Sequence, residues 1–394
     1  MMGKWENCTI ADLGTVVGGA TPSTKRSENF EGGTIAWITP KDLAGFKGRF
    51  ISHGERNLTE KGLKSCSAQM MPKHTILFSS RAPIGYVAIA SNEVCTNQGF
   101  KSIIPNDRID YMFLYYLLLY NKNNIKQMAS GTTFKEISGK AMRSIKVCIP
   151  EAKEEQIKIS SILSAIDSKI EENERINKNL EQQAQSLFRN FYGFLLGQTC
   201  DLSEVIDIRD GTHDSPKATD SGYPLVTSKH LLPFGVDVSS ANIISKSDYT
   251  KINKRSKVDP GDILISMIGT VGLISYVIDS PVKFAIKNVG LLKTSQCPSL
   301  ALYILYYLKS NFAKQHIEKC LAGSTQKYIS LGELRKLPII IPLKKELDDY
   351  NLIVRSIVSE IVLLVEENKR LSNVRDTLLP KLMSGEIDVS DIDL

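Results

Sequence analysis

Residues 35–43 read Ile-Ala-Trp-Ile-Thr-Pro-Lys-Asp-Leu, and residues 223–231 read Tyr-Pro-Leu-Val-Thr-Ser-Lys-His-Leu. Thr39/Thr227, Lys41/Lys229 and Leu43/Leu231 recur at a separation of 188 residues. Moving outward, the correspondence continues in order. Pro72–Ser79 matches Pro260–Ser266, and each is followed by a turn glycine, Gly85 or Gly272. Asn97-Gln98-Gly99 is set against Asn288-Val289-Gly290, and an amphipathic helix is expected next in each half, 111–121 and 301–311. Gly131–Ser138 then matches Gly323–Ser330, and Ile149-Pro150 matches Ile341-Pro342. So many landmarks in one order identify a tandem duplication, which decides the architecture before any single motif does.

Each repeat ends in a long helical pattern. Ile159, Leu163, Ile166, Ile170, Asn173, Asn177, Leu180, Ala184, Leu187 and Phe191 alternate at four and three residues, as a coiled-coil seam does. Val354, Ile357, Ile361, Leu364, Asn368, Leu371, Leu378 and Leu382 keep the same rhythm, with Arg375 interrupting it. Neither Pro nor Gly occurs between Glu151 and Tyr192 or between Leu343 and Leu379. Each helix can therefore run for about 40 residues, roughly 60 Å. Asn173 and Asn368 hold equivalent seam positions, where a polar residue specifies register at a cost in stability. Mutual pairing of the helices is the favoured reading; two amphipathic helices, each packed on its own globule, is the other. The predicted segments are a globule at 1–150, a helix at 151–192, a second globule at 193–342, and a helix with tail at 343–394. Short β-rich runs bounded by Gly and Pro make the globules mixed α/β (α+β), without the strand–helix alternation of a large parallel sheet.

The 394 residues are 42% hydrophobic and 23% charged, which excludes a disordered or collagen-like chain. The longest apolar run, Tyr111–Tyr120, is half of what a bilayer-spanning helix needs, and the N-terminus lacks an apolar signal segment. A cytosolic location without membrane association is expected. Seven scattered cysteines and five histidines form no CxxC, H-x3-5-H or HExxH, so no metal and no disulfide framework is expected. Charge is unevenly placed. Residues 1–150 hold 19 Lys+Arg against 11 Asp+Glu, and residues 193–342 hold 17 against 13. The helical segments are net acidic, with 6 against 8 and 7 against 11. Basic globules and acidic connectors suit contact with a polyanion.

Signatures of catalysis are missing: the chain has no GxSxG, no GxGxxG and no complete P-loop at Gly139-Lys140. Glu151-Ala-Lys153 has the spacing of a nuclease ExK but opens a helix. Loops suited to DNA are more evident. Thr21, Ser23, Lys25 and Arg26 combine hydroxyls and cations on a Gly-rich segment. Thr39 with Lys41, and Thr227 with Lys229, place a hydroxyl and a cation in the same spot of both repeats. Ser80 and Arg81 follow a strand, where a bidentate guanine contact is possible, and Asn97 with Gln98 offers amides suited to adenine. Thr132 with Lys135, and Thr325 with Lys327, suit phosphates. Tyr276, Lys283 and Lys287 complete the set. No cofactor is expected.

These residues resemble the specificity subunit of a Type I restriction–modification enzyme, over essentially the whole chain. The likeness rests on Trp5…Leu13…Gly19-x-Thr-Pro22, Ile35-x-Trp37…Asp42-Leu43, Pro72…Ile76-Leu77…Ser79…Ile84-Gly85 and Asn97-Gln98-Gly99. It rests equally on Ile149-Pro150 and Ile341-Pro342 before the two helices, and on Leu378-Leu379-Pro-Lys-Leu382-Met-Ser-Gly385. The second repeat departs from it, with Gly211-Thr-His-Asp for Gly-x-Thr-Pro. The resemblance implies two target recognition domains, each reading half of a bipartite site on double-stranded DNA. It implies helices that pair antiparallel, separate the domains with pseudo-twofold symmetry, fix the half-site distance and dock modification (methyltransferase) subunits, two of them. Restriction (translocase–nuclease) subunits would join, and methyl transfer and cleavage would belong to these partners. Two other classes fit less: a coiled-coil adaptor or chromosome-organising protein binding DNA without specificity, and a nuclease with a cryptic site.

Overall fold

A computed structural model describes residues 4–81, 83–130, 135–390 and 392. Two compact units divide the chain, Met1–Glu172 with Asn368–Leu394, and Asn173–Glu367. The division cuts both long helices, so each unit holds one globule and a stretch of each helix.

The first repeat contributes β1 (Trp5–Thr9), α1 (Ile10–Leu13), β2 (Gly14–Gly18), β3 (Ile35–Ile38), β4 (Phe50–Ile51), β5 (Asn57–Leu58) and α2 (Glu60–Lys64). Strands β6 (Ile76–Phe78), β7 (Val87–Ala90), β8 (Cys95–Thr96) and β9 (Lys101–Pro105) come next. Helices α3 (Tyr111–Tyr120), α4 (Lys122–Gln127) and α5 (Gly139–Arg143) precede β10 (Lys146–Pro150) and α6 (Lys153–Phe194). The second repeat runs β11 (Thr199–Asp201), α7 (Leu202–Val205), β12 (Ile208–Asp210), β13 (Tyr223–Val226), β14 (Asn242–Ile244) and α8 (Lys246–Ser256). It continues through β15 (Ile263–Ser266), β16 (Ile274–Tyr276), β17 (Ala285–Ile286) and β18 (Val289–Leu292). Helices α9 (Pro298–Lys309), α10 (Asn311–Lys319) and α11 (Leu331–Arg335) then lead to β19 (Pro338–Ile340) and α12 (Lys344–Met383).

The two repeats build the same sheets. The first has the orders β2-β9-β6-β7-β4, β5-β3-β8 and β1-β10; the second has β12-β18-β15-β16, β14-β13-β17 and β11-β19. Among the described residues, the place of β4 is taken in the second repeat by a single parallel bridge between Phe234 and Tyr276. Neighbours pair antiparallel except β3/β8, β4/β7 and β13/β17. The turns joining β6 to β7 and β15 to β16 carry Gly85 at φ 95° and Gly272 at φ 86°, a backbone region closed to most other residues. Pairing of the first strand with the last, β1 with β10 and β11 with β19, closes each globule just before its long helix.

Helices α3 and α9 are not amphipathic as expected but apolar around their circumference, so both are buried, with Phe113–Leu118 and Ala301–Leu308 in the core. Asp110 caps α3 by accepting from the Phe113 N–H (2.8 Å). The buried Gln156 of α6 accepts from the Asp110 N–H (2.9 Å) and donates to the Arg108 and Pro150 carbonyls, which ties the start of α3 to the start of α6.

Within each unit the long helices pack on each other antiparallel. In the first unit Asp167 meets Arg375 (2.9 Å), and the Asn368 amide donates to the Ile170 carbonyl (3.3 Å). In the second, the Asn173 amide donates to Glu367 (2.7 Å) while Phe191 stacks on Tyr350 at 4.7 Å. Pairing therefore holds over independent packing. The interrupting Arg375 is accommodated by the buried Asp167, which also accepts from the Tyr116 hydroxyl (2.7 Å). Helix α12 continues through Pro380 to Met383, carrying the seam to Leu382 as its rhythm predicts, and Leu382 and Met383 are core residues of the first unit. The turn that ends it sets Gly385, at φ 75°, against the Trp5 ring, where a Cβ would lie 3.0 Å from the indole.

Candidate nucleic-acid interface

In the first unit the parallel pair β3/β8 ends at Ile38 and Thr96, and the segments leaving it carry most of the side chains singled out above. The Asn97 N–H donates to the Ile38 carbonyl (3.0 Å), and Asn97 Oδ1 accepts from the Gly99 N–H (2.9 Å), forming an Asx turn. Gln98 is exposed at its tip and accepts from the Thr21 hydroxyl. The Thr21 loop lies there because Gly19 packs on backbone: a Cβ at this position would be 2.1 Å from the Asn97 carbonyl oxygen. Ala20 N–H donates to Thr96 (3.0 Å), the Trp37 indole N–H to Ala20 (3.1 Å) and the Asn29 amide to the Ser23 carbonyl (2.9 Å). Ser23, Lys25 and Arg26 extend from that anchored base into solvent.

Ser80 is buried and joins two further segments to the same turn. Its N–H donates to the Gly99 carbonyl (2.7 Å), and its carbonyl accepts from Ile137 (3.1 Å). Arg81 is therefore brought beside Glu136 (3.6 Å), which also takes the Lys101 ammonium (3.2 Å). Lys135 is exposed next to them, and Thr132 lies outside the described residues. The Thr39 turn is held internally: its N–H and hydroxyl both donate to Asp42 (2.7 and 2.6 Å), and Lys41 pairs with Glu55 (2.6 Å).

The second unit repeats these backbone contacts with other side chains. Gly211 replays Gly19, with a Cβ 2.5 Å from the Ile286 carbonyl oxygen, and Thr212 N–H donates to that oxygen (3.0 Å) as Ala20 does to Thr96. Lys287 N–H donates to Val226 (2.9 Å) as Asn97 does to Ile38. Lys287, rather than Asn288, thus stands where Asn97 does, which corrects the Asn-x-Gly correspondence. Gly290 lies inside β18 opposite Asp210 and Ile265, and Asn288 takes φ 53° in the shortened turn. Ile329 N–H donates to Met267 (2.9 Å), replaying Ile137 and Ser80.

Among the other residues, Lys287 Nζ donates to the Ser215 hydroxyl (2.5 Å). Thr227 N–H donates to the buried His230 (2.9 Å), with Lys229 exposed beside it. Thr325 and Lys327 are exposed on a turn whose Lys327 carbonyl accepts from Gly269 (3.1 Å). Lys283 lies at the opposite end of β17 from Lys287 and so is not brought to this face. Tyr276 packs edge-on to Phe234 (6.3 Å), and burial pushes its phenol up; it is a packing residue.

Three side chains that the sequence did not single out complete the second face. Asp210, the buried last residue of β12, lies 2.9 Å from His213 Nε2 through one oxygen and accepts from Arg255 Nη2 through the other. His213 Nδ1 is 2.8 Å from Asn288 Oδ1. The available signal was the basic run Lys251–Arg255, but Arg255 lies 45 residues from its carboxylate.

Among the described residues, no group of three or more His, Cys, Asp or Glu is placed to hold a metal, and no helix is long and apolar enough to cross a membrane. Glu151 of the ExK spacing pairs with Lys4 (2.7 Å), and Lys153 donates to the Asp107 carbonyl (3.1 Å), so both serve the helix start.

A duplicated α/β scaffold, with like backbone and unlike side chains on its two faces, is the class that this geometry defines. The chain belongs to the Type I restriction–modification specificity family: the model of the Type I restriction modification DNA specificity domain matches residues 2–182 and again 198–357. It is 33% identical to the Type I restriction enzyme MjaIX specificity subunit of Methanocaldococcus jannaschii, over 98% of this chain and 94% of that one. It is 29% identical to the EcoR124I/EcoR124II specificity subunit of Escherichia coli over 42% of each. The crystal structure of the Type I S subunit from M. genitalium shares the fold, with TM-score 0.56 and 17% identity over 96% of both chains.

Proposed function

We propose that this chain is the non-catalytic, sequence-specific DNA-binding subunit of a Type I restriction–modification complex. Each globule reads one half of a bipartite target. Residues 1–150 form the first recognition domain and 193–342 the second; the helices from 151 and 343 set half-site spacing, with Asn173 and Asn368 fixing register. The observation that carries this reading is the pairing of conserved frame with altered reader. Gly19 and Gly211 make the same close approach and Asn97 and Lys287 the same backbone bond, yet the side chains presented differ. One frame carrying two readers suits an asymmetric double-stranded site. Thr21, Ser23, Lys25, Arg26, Arg81, Gln98 and Lys135 are the contacts of the first face, and Lys229, Lys287, Thr325 and Lys327 those of the second. Methyltransferase subunits dock on the helices, restriction subunits join them, and the chemistry belongs to these partners.

The test is co-expression with a methyltransferase subunit of a Type I complex, followed by genome methylation mapping. A bipartite methylated motif is expected. Binding indifferent to sequence would favour a DNA-coating adaptor, and metal-dependent cutting by the purified chain would make it a nuclease.

A further inference from the structure

Among the described residues, the second face contains a charged constellation with no counterpart at equivalent positions of the first. Asp210 closes β12, where the equivalent residue of the first repeat is Gly18, next to Gly19 as Asp210 is next to Gly211. Arg255 comes from α8, an 11-residue helix; its counterpart α2 has 5 residues and ends before that position. The Arg255 and His213 side chains are 64% and 66% exposed, whereas Asp210 is 8% exposed. A buried carboxylate thus grips two exposed, hydrogen-bond-rich side chains at the edge where Lys287 and Asn288 emerge.

We propose that Arg255, oriented by Asp210, is the guanine-reading residue of the second half-site, with His213, itself held by Asn288 Oδ1, buttressing the same carboxylate. This rests on the DNA-reading function proposed above and adds the base class and the residue. A guanidinium is a planar fork of five donors. Asp210 takes one Nη2 hydrogen, and Nε and Nη1 have no acceptor among the described residues, so the fork keeps an edge of paired donors. Paired donors match the O6 and N7 acceptors that guanine shows in the major groove. A phosphate is the poorer partner here, because bringing one to Arg255 sets its charge beside that of Asp210. Anchoring also removes rotamer freedom before DNA arrives, which turns a flexible cation into a directional probe. The Arg255 carbonyl accepts from Arg209 Nη1 (3.1 Å), so the helix end carrying the fork is itself fastened to β12.

The experiment is selection from a randomised duplex pool by the full chain in complex with its methyltransferase subunits, followed by sequencing. The wild-type complex is expected to enrich a bipartite motif. Arg255→Ala should leave the first half-site unchanged and abolish guanine preference at one position of the second, a loss of roughly ten- to a hundredfold in discrimination. Arg255→Lys keeps the charge without the fork and should lose preference at that same position, which separates reading from electrostatics and from misfolding. Asp210→Asn should weaken the preference there to a lesser degree. An unchanged motif, or uniform weakening at every position, would overturn the assignment. If the wild-type complex enriches no motif, the DNA-reading function itself falls, and the assignment falls with it.

Discussion

Arg49 and Glu171, 122 residues apart, form a bidentate ion pair inside the first unit: Nε and Nη2 of the arginine lie 3.0 and 2.9 Å from the two carboxylate oxygens. The Arg49 backbone N–H donates to the same carboxylate (3.0 Å), and Nη1 reaches the Ser164 hydroxyl (2.6 Å). With its side chain 6% exposed, Arg49 ties the start of β4 to α6.

Removing Glu171 strands a buried guanidinium, so Glu171→Ala should destabilise the protein by about 3 kcal/mol. The pair also predicts an acid response. Burial pushes the Glu171 carboxyl up, but the hydrogen bonds and charge of Arg49 outweigh it and hold it below the ordinary 4.5. A depressed carboxylate contributes stability above that value and loses it as pH falls through and below it. Thermal melts of wild type and Glu171→Gln should therefore differ most at neutral pH and converge below about pH 4.5. A difference that stays constant with pH would refute the charged pair.

Arg375 gives a second stability test. Asp167, 6% exposed, takes Arg375 through one oxygen and the Tyr116 hydroxyl through the other. Arg375→Ala leaves that carboxylate uncompensated and should cost about 3 kcal/mol. Replacing the whole network by apolar groups, Asp167→Leu with Arg375→Leu and Tyr116→Phe, should recover most of the loss, because no buried charge remains. Denaturant midpoints of the two variants decide it: a triple variant weaker than the single one would mean that the network's geometry, not its charge balance, holds the helices.

The pattern of what was readable follows from range. The duplication, the long helices and the short β-rich runs bounded by Gly and Pro are written in local periodicity and punctuation, so the sequence displays them. Contacts that depend on distant partners are not displayed. Arg49 and Glu171, like Asp210 and Arg255, look like ordinary surface charges until the chain folds. Asn288 misled for another reason: a turn one residue shorter shifts every position after it, so an identical Asn-x-Gly occupies a different part of the strand. Thr39 was readable as a hydroxyl donor, but Asp42 already claims it.

Arg81 is the sharpest test of the first face. Among the described residues it is held only by the long 3.6 Å contact to Glu136, which leaves it able to turn to a base edge. Arg81→Ala should relax base preference at one position of the first half-site by roughly 1–3 kcal/mol. Uniform weakening across sequences, with a shallower salt dependence, would make it a phosphate contact instead. Comparing selected motifs at two salt concentrations separates the two outcomes.

The helices supply the last prediction. Helix α6 is 42 residues long and α12 is 40, and their seam positions are buried or half-buried in both units. Deleting one heptad from each preserves the apolar rhythm while removing about 10.5 Å of helix. Three base pairs of duplex span about the same length, roughly 10 Å. If the helices set half-site spacing, the deleted protein should fold, read the same two half-sites, and methylate them about three base pairs closer together. Removing four residues instead breaks the seam register, turning apolar positions outward, and should cost stability before it changes spacing. Methylation maps of the heptad deletion that show the original spacing would detach the helices from the measuring role and leave them as packing elements of their own units.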